Sequence, residues 1–130
     1  MGLFKDLFGS TSDSWAGANL SHDAYRLIWE VSGINIDSRG WMEQGALTER
    51  ATALHSEITG APLKRANAPT YAILILYALI EKSKQRGESV TVEAAKGGLA
   101  TIVAAADKGD YGPYGRIPTE FAMRFAHLFE

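Results

Sequence analysis

Histidine is the side chain best suited to proton transfer or metal ligation near neutral pH, and this chain has three, His22, His55 and His127. No two have the four-residue spacing that sets paired ligands on one helix face, as in H-E-x-x-H. A histidine beside an apolar stripe usually buries its ring body and keeps its polar tip wet. His55, near Ala51 and Ile58, fits that role, and His22 shares one side of its helix with Tyr25 and Trp29. Acid or base catalysis also needs a carboxylate in a desolvated setting. Glu43, Glu49, Glu57, Glu81 and Glu93 are scattered, and Glu49 and Glu57 fall on the polar side of their helix. The chain has no cysteine, which excludes thiolate nucleophiles, disulfides and cysteine-based zinc sites. G-x-S-x-G, Walker-type and G-x-G-x-x-G loops are also missing from the sequence. No catalytic residue, cofactor site or metal ligand is therefore assigned.

Two segments instead carry the chemistry of recognition. Near the start, Leu3, Phe4, Leu7 and Phe8 fall on one helical face, with Lys5 and Asp6 on the other. Four large apolar side chains in six residues call for a surface to cover them, on this chain, on a sister copy or on another protein. Residues 9–19, rich in Gly, Ser and Ala, read as a linker with Trp15 as its large side chain. The second segment, residues 108–116, holds three glycines, one proline, Tyr111, Tyr114 and Arg116. Tyrosine offers rigid contact area, and glycine frees the backbone around it. The plainer reading of this loop is a tight connection whose tyrosines lie back on the helices. The candidate partner-binding residues are thus Leu3, Phe4, Leu7, Phe8, Trp15, Tyr111, Tyr114 and Arg116. A small enzyme or ligand-binding domain using His55 or His127 with the loop is the alternative.

Charge narrows the partners. The net charge of −2 and pI near 5.9 argue against phosphate-backbone binding. The basic residues of 61–86 fall in two groups at opposite ends of a helix, so they form no single patch there. Membrane association through residues 2–8 is weakly supported, because the segment is short and has one lysine. No signal peptide is visible, and the longest apolar run, residues 71–80, is about half a bilayer span. A cytoplasmic protein that binds another protein or itself is the expectation.

The elements that must position these residues read as all-α. With 46% hydrophobic and 22% charged residues in 130, the chain can fold as one domain without metal or disulfide. The organisation expected is an amphipathic helix over 1–9, a flexible linker over 10–20 and a helical domain over 21–130. Helix one spans 22–31 with Ser21 as N-cap and Gly33 as stop, and residues 34–40 follow as an extended piece and turn. Helix two covers 46–59, with Trp41 and Met42 adding a leading turn and Gly60 and Pro62 ending it. Helix three runs from Pro69 to about Arg86 and is apolar all round over 71–80, which predicts a central position. Helix four runs from Thr91 to about Asp107, unless 89–92 form a short strand. Its small residues predict close packing under the side chains of helix three, with a kink at Gly97-Gly98. Helix five runs from Pro118 to the C-terminus, with Phe121, Phe125, Leu128 and Phe129 as its core face. The whole is a compact bundle of about five helices, without internal repeats and without sustained heptads outside helix two.

Overall fold

The computed structural model describes residues 2–34, 45–60 and 68–129, and the side chains among them from residue 15 onward except those of 46 and 129. Five α-helices are present: α1 (Gly2–Ser32), α2 (Gly45–Thr59), α3 (Ala68–Gln85), α4 (Ser89–Asp107) and α5 (Arg116–Arg124). Short 3-10 helices at Gly112–Gly115 and Ala126–Phe129 flank α5. Among the described residues there is no strand, and no helix is long and apolar enough to cross a membrane. The expected extended piece at 34–40 reaches only Ile34 within the described residues. The leading turn at Trp41 and Met42 and the stop at Pro62 lie outside them.

The unbroken apolar run places α3 at the centre. Every residue from Ala72 to Ile80 is buried, and α1, α2, α4 and α5 all pack on this helix. One core joins Leu20, Ala24 and Ile28 of α1, Leu47 and Leu54 of α2, Leu99 of α4 and Phe121 of α5 to it. Tyr77 anchors the α5 side, with its ring 6.1 Å from Phe121 and 5.5 Å from Phe125. Arg50 of α2 clamps the outside of the bundle. It donates to Glu57 at 2.9 Å and to Glu81 of α3 at 2.6 Å. The expected glycine stops at 33, 60 and 87 have φ of +74°, +70° and +73°, the left-handed geometry that ends helices cheaply only for glycine.

Several boundaries differ from the sequence reading. Helix one begins at Gly2, not His22, and stays helical through residues 9–19, which were expected to be a linker. Small residues there weaken helix propensity, but one of them serves packing: a Cβ on Gly17 would sit 3.0 Å from Tyr114 and 3.3 Å from Pro69. Ser21 is consequently an interior residue rather than an N-cap. Its hydroxyl donates to the Gly17 carbonyl at 3.1 Å, the back-bond by which helical serines satisfy themselves. Residues 89–92 are the first turn of α4, not a strand. α4 is one continuous helix through Gly97 and Gly98, and the side chain closing over Gly98 is Leu27 of α1 rather than one from helix three. Helix five starts two residues early at Arg116 and gives way to a 3-10 turn after Phe125. Pro118 is tolerated because it lies in the first turn, where its missing N–H has no helical partner.

Candidate functional site

The long α1 has two faces of different character. Its inner face carries Gly17, Leu20, Ala24, Leu27 and Ile28, all buried. Trp15, His22 and Trp29 stand on the opposite side at intervals of seven residues, about 10.5 Å along the axis. Trp15 is 70% exposed and Trp29 53%. Ala18 and His22 between them are exposed too. Between His22 and Trp29 on that side stands Arg26, which lies 3.8 Å from both Asp23 and Glu30. Exposed ion pairs of this kind contribute little stability but keep that stretch solvated. The seven-residue register continues in the sequence to Phe8, and the register four residues before it to Phe4.

Leu3, Phe4, Leu7 and Phe8 lie in the first turns of α1, and their side chains fall outside the described residues. Trp15 stands at the point where α1 meets the body: the next residue, Ala16, lies where a Cβ on Gly112 would approach to 3.3 Å. The Tyr/Gly segment, read as a candidate recognition loop, is folded onto α1. Tyr111 is 2% exposed, and its hydroxyl donates to Asp23 Oδ2 at 2.7 Å. Burial first, and this hydrogen bond second, push its phenol well above the ordinary tyrosine range. Tyr114 is half-buried against Gly17, and Arg116 is exposed. The plainer reading of that loop, with tyrosines lying back on a helix, is therefore the observed one.

His55 and Thr59 of α2, Thr70 of α3, Tyr114, and Arg116 and Glu120 of α5 line an open groove of about 540 Å³. It thus brings together His55, Tyr114 and Arg116 of the alternative constellation, but not Tyr111 or His127. His127 is exposed in the 3-10 helix after α5, where its carbonyl accepts a hydrogen bond from Lys84 Nζ at 3.1 Å. Inside the groove His55 Nδ1 lies 3.4 Å from Thr59 Oγ1, one turn away on its own helix. Among the described residues no three His, Asp or Glu side chains gather as metal ligands. The basic end of α3 is divided. Lys82 and Arg86 line a separate hollow with Glu88, which lies 3.9 Å from Arg86, while Lys84 turns to His127.

The sequence reading missed the seam on α1, because a linker over 9–19 breaks its register. The seven-residue spacing of Phe8, Trp15, His22 and Trp29 was the signal that could have found it. No family model, curated protein or solved structure matches the chain.

Proposed function

We propose that this protein is a non-catalytic protein-binding module, of adaptor, regulator or inhibitor type, whose binding element is the outer face of α1. One observation carries the reading: two tryptophans two heptads apart on one helix are both more than half exposed. Single exposed apolar residues are ordinary, whereas two tryptophans aligned on one helix side, with exposed Ala18 between them, offer more contact area than scattered residues do. Tryptophan is also the residue type most enriched among the anchors of protein interfaces. The module is read as acting in the cytoplasm, which suits a chain that folds without disulfides.

The test places a photoreactive benzoylphenylalanine at position 15 or 29, with position 123 as an equally exposed control. Irradiation in extract of the native host should link positions 15 and 29, but not 123, to a polypeptide. Equal labelling at all three positions would count against the reading. The alternative, a ligand-binding domain, is supported by the meeting of His55, Tyr114 and Arg116 in one groove of a size that suits a small molecule. A ligand that shifts the His55 and Tyr114 ring resonances, and loses affinity on Arg116→Ala, would favour it.

A further inference from the structure

We infer that the hollow at the turn between α3 and α4 is a binding site for a small organic phosphate, a phosphoryl group carried on an apolar body. This inference goes beyond the protein-binding reading above and stands on other residues.

The hollow holds about 450 Å³, within the range of small-molecule sites. Its lining divides by chemistry. Ile34, Leu47 and Leu79 supply apolar surface, and Lys82, Ser83, Arg86 and Thr91 supply donors. Local geometry gathers those donors. The Arg86 N–H still bonds to the Lys82 carbonyl at 3.1 Å, which keeps the two cations on one side of the last helical turn. Gly87, at φ +73°, then reverses the chain, and the Glu88 N–H closes on the Ser83 carbonyl at 2.8 Å. The start of α4 is thereby held beside the end of α3.

Ser83 carries the argument furthest. A helical serine ordinarily satisfies its hydroxyl on the carbonyl four residues back, as Ser21 and Ser56 do. The Ser83 hydroxyl makes no hydrogen bond among the described residues, although the residue is only 2% exposed and lines the hollow. A buried hydroxyl without a partner costs free energy, and a ligand oxygen in the hollow would remove that cost. Lys82 likewise has no ion pair among the described residues, whereas Arg26, Arg50 and Arg124 each have one. The first turn of α4 adds two donors. The Ser89 N–H bonds to the Gly87 carbonyl and the Val92 N–H to the Glu88 carbonyl, which leaves the N–H groups of Val90 and Thr91 as the orphans of a helix start.

The count of donors selects the ligand. A phosphomonoester brings three oxygens and a charge of about −1.5 to −2 at pH 7, whereas a carboxylate brings two oxygens and one charge. Two cations, two hydroxyls and a helix start exceed what a carboxylate can use. Glu88 is the opposing group. It lies 3.9 Å from Arg86 with both side chains exposed, a weak pair that a ligand phosphate would displace.

The test titrates the full chain with phenyl phosphate from about 0.1 to 20 mM, followed by amide NMR. The amides of Ser83 and of residues 89–92 should shift together and saturate, and benzoate should bind several-fold more weakly. Lys82→Gln should weaken phenyl phosphate binding about tenfold and Ser83→Ala about threefold. Ser83→Ala should not lower the melting temperature, since it removes no hydrogen bond. Glu88→Gln should tighten binding. Lys84→Gln, whose ammonium turns to the His127 carbonyl instead, should leave it unchanged. Absence of a joint shift up to the highest concentration overturns the site, as does equal weakening by Lys84→Gln and Lys82→Gln. Benzoate binding as tightly as phenyl phosphate overturns the phosphoryl assignment, and unchanged affinity in Ser83→Ala overturns the role of that hydroxyl.

Discussion

The two faces of α1 invert the usual relation between size and burial. The inner face buries aliphatic and small residues, Leu20, Ala24, Leu27 and Ile28, while the two tryptophans, the largest side chains it carries, stand outside. Close approach explains the inner face. Leu27 occupies the space left by the missing Cβ of Gly98, and Tyr114 and Pro69 press on Gly17, so bulk there would push α1 off the body. No such limit acts on the outer face, where bulk increases the area offered to a partner. The inner face thus holds the fold, the outer face is the one proposed for binding, and substitutions should separate the two roles.

The largest effect is expected on the inner face. Ile28→Ala removes a fully buried side chain from the core and should cost about 2–5 kcal/mol in urea unfolding. Gly98→Ala should cost about 1–3 kcal/mol by overpacking against Leu27. Gly97, with open space around its Cβ direction, supplies the contrast: Gly97→Ala should stabilise by about 1 kcal/mol through helix propensity alone. Equal effects at the two positions would mean that α1 and α4 are not in close contact.

Asp23→Ala leaves the Tyr111 hydroxyl buried without its acceptor and should cost about 1–3 kcal/mol. The same tyrosine makes stability sensitive to alkali. Burial raises the phenols of Tyr77 and Tyr111 above their ordinary 10.0, so each keeps its proton in the native state at a pH where the unfolded chain has lost it. Their stabilising contribution is complete below about pH 10 and declines as pH rises above it. Absorbance near 295 nm should show two of the five tyrosines ionising only as the chain unfolds. The smallest stability effect is expected on the outer face. Trp15→Ala or Trp29→Ala, unfolded as the isolated chain, should shift stability by no more than about 0.5 kcal/mol.

How much of this could be read from the residues follows from where the information lies. The central helix was legible because residues 71–80 are apolar on every side, a pattern only a surrounded helix supports. Gly33, Gly60 and Gly87 marked helix ends because their conformation is local. The continuity of α1 was not legible. Residues 9–19 have low helix propensity, and at least at Gly17 what favours helix is tertiary, with Tyr114 arriving from nearly a hundred residues away. For the same reason the Leu27 contact at Gly98 and the Tyr111–Asp23 bond lay beyond the sequence: each depends on which helix becomes the neighbour. The outer seam fell between these cases. Its spacing is written in the sequence, but it becomes a face only once the helix is known to be unbroken.

The most direct measurement of the account is hydroxyl-radical footprinting of the intact chain, alone and in extract of the native host, read residue by residue by mass spectrometry. Trp15 and Trp29 should oxidise readily in the isolated chain and become protected in the extract, while Met123, at 77% exposure, reacts alike in both. Equal oxidation of the two tryptophans in both settings would contradict the proposal that the outer face of α1 is a binding surface.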